Sequence, residues 1–166
     1  MALLSQKDLR SITIKELTDT ADIHRATFYV HYKDVYDLYE QLENRVLEEL
    51  IQIVSNDSSH SYEGVYKALI DYILENSALC KMFFSSSSNG NFQKRANEVL
   101  EENYLKIWLF EDKKTTITEE MRYLTAYNVQ GCNAIIGKWI KDDFSCPKEQ
   151  IVTMLKLLND NFDRIT

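Results

Sequence analysis

Apolar residues recur at intervals of three and four along almost the whole chain, the period of an α-helix with one buried face. The clearest run is Val35, Leu38, Leu42, Val46, Leu50 and Ile53, which predicts a long helix over 35–54 with Asp34 as its cap. Ahead of it, Thr13 followed by Glu16 matches a capping box and opens a short helix over 14–20. The sequence Ala21-Asp22-Ile23-His24 interrupts, and a second short helix follows over 25–32. A polar cluster at 55–61 ends the long helix. Further helices are predicted over 62–76, 78–84, 92–110, 118–141 and 147–165, with loops at 85–90 and 111–116. Pro147 suits the first turn of the last helix, with Ser145 or Cys146 at the cap.

Composition agrees with the pattern. Only 4 Gly and 1 Pro occur in 166 residues, too few for the tight turns of an all-β fold. Hydrophobic residues at 45% and charged residues at 27% fit a globular chain and argue against disorder. The fold class is therefore all-α.

The net charge of −7 disfavours nonspecific coating of nucleic acid. Its distribution changes that picture. Residues 1–34 balance Lys7, Arg10, Lys15, Arg25 and Lys33 against an equal number of acids, so residues 35–166 carry the whole excess. A neutral head on an acidic body can approach a polyanion head-first. Cys80, Cys132 and Cys146 form an odd set without CxxC spacing and read as free thiols in a reducing cytoplasm. No apolar run reaches the roughly 20 residues that span a bilayer, and the start has no signal-peptide pattern, so a cytoplasmic protein with no membrane partner is expected.

Two short helices separated by a few residues, beside a third, are the pattern of a helix-turn-helix. Ile14, Leu17 and Ala21 supply the packing face of the first helix. Asp22 tolerates the left-handed turn, and Ile23 and Phe28 anchor the second helix. Arg25, Ala26, Thr27, Tyr29 and His31 are then left nearer the outside, where donors and small apolar groups suit phosphates and base edges. The blander reading makes Tyr29, Tyr32, Tyr36 and Tyr39 an aromatic seam of a helical bundle.

The stretch ITIKELTDTADIHRATFYVHYKDVYDLYEQL resembles the DNA-binding head of TetR-family transcriptional regulators, most closely at Thr27-Phe28-Tyr29-Val30-His31-Tyr32, Lys33-Asp34 and Leu38. The resemblance implies that this block is a recognition helix and the start of the fourth helix of the family fold. It implies that Tyr29, His31 and Lys33 contact the phosphate backbone, that Arg25, Ala26 and Thr27 face the major groove, and that Thr13 caps its helix and adds a phosphate contact. It implies a head over 1–40 and a regulatory and dimerisation body over 41–166, the latter resembling the C-terminal domain of a Firmicutes-type branch. Three positions depart from the family pattern: Thr18 stands where a small Ala is usual, Asp22 where Gly is usual, and Val35 where many members carry Lys. The family's first helix is also longer than residues 1–9 allow, so either further residues before Met1 or a head shortened at its start is expected.

In the body, Tyr66, Phe83, Phe84, Tyr104, Trp108, Tyr123 and Tyr127 are candidates to line a pocket for a small-molecule effector, the alternative being that they fill the core. Gly131, Ala134 and Gly137 form a small-residue stripe beside Ile135 and Lys138, and Met154, Leu155, Leu158 and Phe162 lie on a wide apolar face of the last helix. Paired with their symmetry mates, these two helices make a four-helix homodimer contact; burial within one chain is the alternative. No phosphate loop, HExxH or GxSxG occurs, and His24, His31 and His60 lack partners at metal spacing, so neither an enzyme nor a metal or other cofactor is expected. The expected function is a ligand-responsive repressor binding a palindromic double-stranded operator as a homodimer. A protein-interaction or coactivator-type relative with weak or no DNA binding is the alternative.

Overall fold

The computed structural model describes residues 3, 7, 9–55, 62–84, 91–111, 113 and 115–162. Among them the chain is helical, with no strand: a 3-10 turn at Leu9–Ser11, then α1 (Ile14–Ala21), α2 (Arg25–His31), α3 (Val35–Ser55), α4 (Tyr62–Glu75), α5 (Ser77–Phe84), α6 (Asn91–Glu111), α7 (Glu119–Lys141) and α8 (Lys148–Phe162). The expected all-α class and the order of helices are observed. The loop at 85–90, most of the polar cluster at 55–61, His60 and most of the expected short first helix lie outside the described residues.

The chain divides into two compact units, Met1–Glu48 and Glu49–Thr166, and α3 contributes residues to both. In the first unit α1 packs against α2, and Ile12, Thr18, Phe28 and Val35 are buried. Asp34 caps α3 as expected, its carboxylate accepting from the Asp37 N–H at 2.9 Å.

The second unit is a bundle in which α6 and α8 pack on α7, α4 packs on α8, and α5 packs on α7. Its main core joins Ile70, Ile73 and Leu69 of α4 to Ile136, Trp139 and Ile140 of α7 and Ile151 and Leu155 of α8. A second cluster joins Tyr104, Leu105 and Trp108 of α6 to Met121 and Val129 of α7. The α7–α8 connection is tight. Asp143 and Phe144 take positive φ of 55° and 59°, Phe144 packs edge-on to Trp139 at 4.9 Å, and the Trp139 indole donates to the Cys146 carbonyl at 2.8 Å. Ion pairs Lys148–Asp71 and Lys156–Glu63 tie α8 to α4, but both are exposed and contribute little beside the apolar contact.

Candidate functional site

The first helix of the head begins on the expected capping box. Thr13 is extended, its hydroxyl accepts from the Glu16 N–H at 3.2 Å and donates to Glu16 Oε2 at 2.9 Å, and its own N–H donates to the same oxygen at 3.0 Å. Both donors of Thr13 are thus committed to Glu16. Thr13 fixes the start of α1, as expected. The Lys7 ammonium, then the Thr13 N–H and hydroxyl, hold the Glu16 carboxyl down at about 2 from an ordinary 4.5. Because the folded value is the lower one, the stabilisation is fully present above about 4.5 and is lost as pH falls toward 2. The protection factors of the α1 amides should therefore fall across that interval, and Glu16→Gln should lower them at neutral pH while flattening their acid dependence.

Helix α1 ends at Asp22, which is left-handed at φ 52° and ψ 47°. The N–H groups of Asp22 and Ile23 both reach the Thr18 carbonyl, the latter at 3.0 Å, closing a Schellman-type ending. Thr18 is fully buried, and its hydroxyl stays within reach of the Ile14 and Lys15 carbonyls at 2.9 and 3.1 Å, so its burial strands no donor. Ala21 and Ile23, expected to pack inward, are instead exposed, Ile23 by 43%. The left-handed Asp22 redirects the chain there, and Phe28 alone supplies the buried contact of α2.

Phe28 is 4% exposed, with the Tyr29 ring edge-on at 5.8 Å and the Tyr32 ring tilted at 5.4 Å. Everything else the sequence placed outward is outward: Arg25, Ala26, Thr27, Tyr29, His31 and Lys33 are all exposed. Val30, 77% exposed, was missed; it lies two residues from Phe28 and so faces away from it. An exposed valine on this helix can meet a thymine methyl. The connection to α3 is held by the Lys33 N–H donating to Asp37 Oδ2 at 2.8 Å and by the Gln41 amide donating to Asp37 Oδ1 at 3.2 Å. These two bonds, the Lys33 one first, lower the Asp37 carboxyl below its ordinary value. The Lys33 ammonium projects from a fixed backbone.

In the body a small cavity of about 60 Å³ opens between α4, α6 and α7. Of the pocket candidates, Tyr66 and Tyr104 line it. Phe83 is buried and stacked on Phe92 at 4.6 Å, Trp108 packs edge-on to Tyr104 at 6.5 Å, and Phe84 lines a separate outer groove. Tyr123 and Tyr127 are corrections: each is 75% exposed, because α7 buries Met121, Thr125, Asn128 and Val129 and turns these two tyrosines the other way. A buried polar cluster was missed. Asn159 Oδ1 accepts from Tyr104 Oη at 2.9 Å, Asn128 Nδ2 at 3.1 Å and Tyr66 Oη at 3.4 Å, and Asn128 Nδ2 also reaches Tyr104 Oη at 2.8 Å. Cys132 sits beside it, 3.7 Å from Tyr66 Oη. The signal available was Asn128 and Asn159 at positions where the helical period calls for apolar residues. Burial pushes the Cys80 thiol up to about 12 and raises that of Cys132 as well, so neither is a thiolate at neutral pH. Among the described residues no group of three or more His, Cys, Asp or Glu could hold a metal ion, and no helix is long and apolar enough to cross a membrane.

Residues 60–161 match a family model described as a transcriptional regulator C-terminal region of the TetR type, which covers more than half of the chain. The chain belongs to the TetR family of transcriptional regulators. A solved structure titled "Dihydroxyacetone kinase operon activator DhaS" superposes with a TM-score of 0.70 at 20% identity, over 98% of this chain and 90% of that one, and so shares the fold. No curated protein matches the sequence.

The last two helices of this TetR-family regulator present a mixed surface. Gly131 has open space where a Cβ would stand, and at Gly137 such an atom would meet only the Phe84 ring, at 3.6 Å. Ala134 and Lys138 are exposed along a groove of about 490 Å³ between α6 and α7, with Lys138 paired to Asp142 at 2.7 Å. Met154 and Leu158 are 39% and 38% exposed, and Leu157, missed from sequence, 55%. Leu155 is fully buried in its own protomer's core and so is not available to a second copy as expected, while Ile135 packs against the same core and is half-buried. The Phe162 side chain lies outside the described residues.

Proposed function

We propose that this TetR-family regulator represses transcription by binding a palindromic operator as a homodimer, and that an effector held in the body releases it. The observation that carries the reading is the outward face of residues 25–33. Phe28 is the buried side of α2, while Arg25, Ala26, Thr27, Tyr29, His31 and Lys33 stand exposed together. In a dimer, two such helices enter successive major grooves about 34–36 Å apart. Arg25, Ala26 and Thr27 read base edges; Tyr29, His31 and Lys33 hold phosphates. The exposed Met154, Leu157 and Leu158 of α8, with Ala134 and Lys138 of α7, supply the surface for the second copy. An effector acts only by preferring the state whose head spacing does not fit the operator.

The double variant Tyr29→Ala, Lys33→Ala should weaken binding to every duplex, by roughly tenfold or more at low salt, and lower the salt slope by about 1 per head, Lys33 being the one cation removed. Fluorescence anisotropy over about 50–200 mM salt reads both quantities. An unchanged slope removes these residues from the phosphate contact, and no duplex binding by the intact chain at low salt removes the reading. One observation favours a second function. Tyr123 and Tyr127 stand exposed on an acidic body, a pair suited to docking a protein partner. Under that reading a partner protein, and not a small molecule, changes the affinity for DNA.

A further inference from the structure

We infer that Val30 reads the C5-methyl of a thymine in each operator half-site, so that A·T pairs lie under the outermost line of α2. The inference rests on the reading of α2 as the helix that enters the major groove, and names what that helix recognises there.

Helix geometry sets which side chains reach furthest out. At about 100° per residue, Ala26 and Val30 each lie about 160° from Phe28, on opposite sides, and so straddle the line pointing directly away from it. Phe28 is the buried residue of α2, so that line is the outermost one. Arg25, Thr27, Tyr29 and His31 lie about 60–100° from Phe28 and flank it. All six flanking and outer residues are exposed, Val30 by 77%. The polar and aromatic side chains thus stand on the sides of the helix, and its leading edge is two hydrocarbon side chains four residues apart.

The chemistry of that edge limits what it can meet. In the major groove guanine shows two acceptors, cytosine a donor, adenine one of each, and thymine an acceptor beside its C5-methyl. Laid on a G·C pair, a methyl-tipped edge takes water from these polar groups and returns no hydrogen bond. Laid on the thymine of an A·T pair, it covers the one apolar group that the bases offer in that groove. Val30 suits the contact. Its branched side chain keeps one preferred rotamer in a helix, so its methyls have a fixed direction and little freedom is lost on binding. Ala26 carries a single methyl and lets the helix come close. Helix stability does not account for the valine, because alanine has the higher propensity at an exposed site. The edge is too narrow for a protein-docking patch, being two small side chains between four polar or aromatic ones.

The test uses a duplex that the full chain recovers from a randomised library at low salt, with affinity read by fluorescence anisotropy. Uracil replaces thymine one position at a time within one half-site, which removes the methyl and keeps every hydrogen bond. At one position or two neighbouring ones, affinity should fall about fourfold, the worth of one buried methyl. A C·G pair there should cost about tenfold or more, and 5-methylcytosine in place of that cytosine should recover about fourfold. Val30→Ala should weaken the thymine duplex and bind the uracil and thymine forms within about twofold of each other. It removes no charge, so its salt slope should match that of the native chain. The inference is overturned if no uracil substitution lowers affinity, if 5-methylcytosine binds no better than cytosine, if Val30→Ala distinguishes uracil from thymine as the native chain does, or if Val30→Ala changes the salt slope. In each of these cases the chain still binds its duplex, and the reading of α2 as a DNA reader stands. Recovery of no duplex overturns that reading and this inference together.

Discussion

Phe28→Ala should unfold the head and abolish duplex binding while the body's own thermal transition stays in place. Phe28 is the single buried residue of α2, a helix of 7 residues too short to persist without tertiary contact. Removing its ring costs about 3–5 kcal/mol for a core site. Among the described residues the other buried positions of that unit are Ile12, Thr18 and Val35 and, further along α3, Glu43, Val46 and Leu47, none of them on α2. Amide exchange resolved by residue is the measurement, with the amides of α1 and α2 losing protection and those of α7 keeping theirs. Phe28→Leu, which keeps most of the volume, should retain binding. Full DNA affinity in Phe28→Ala would show that the outward face of α2 does not depend on this anchor.

Asn159→Leu should be the most damaging change in the body. Asn159 is 1% exposed, and its amide oxygen is the acceptor for three buried donors. Leucine fits the volume but leaves the Tyr104 hydroxyl without the 2.9 Å acceptor it now has. Stranding buried donors costs about 1–3 kcal/mol for each. Tyr66 keeps a weak contact to Cys132 and Asn128 keeps its 2.8 Å bond to Tyr104, so a total loss of about 2–5 kcal/mol is expected. The decisive comparison is the triple variant Asn159→Leu, Tyr104→Phe, Asn128→Leu, which removes the acceptor together with its two closest donors. Chemical denaturation should find it more stable than Asn159→Leu alone. If the two are equally destabilised, packing and not hydrogen bonding dominates at this position.

The head was legible because its signals are local. The Thr13–Glu16 capping box, a turn residue tolerant of the left-handed region, and the three- and four-residue spacing of α3 each act within a few residues. The reading failed where a side chain's fate depends on distant partners. Ala21 and Ile23 look like anchors until the backbone at Asp22 turns them outward. Tyr123 and Tyr127 belong to an aromatic-rich segment, but only the packing of α6 and α8 on α7 decides which face of that helix is inside. The same holds for Leu155, whose apolar character suits a partner chain or its own core equally well. The polar cluster was invisible because it joins residues of α4, α6, α7 and α8, the nearest pair 4 residues apart and others up to 93.

The left-handed backbone at residue 22 narrows what heredity can write there. Glycine, asparagine and aspartate tolerate it, and most other side chains are strained. Aspartate codons lie one base away from codons for each of the other two, and either change deletes a negative charge from the head without disturbing its turn. A lineage under pressure for a firmer grip on its promoter therefore has a short mutational path open at this position, and a clinical or laboratory selection would be expected to find it early.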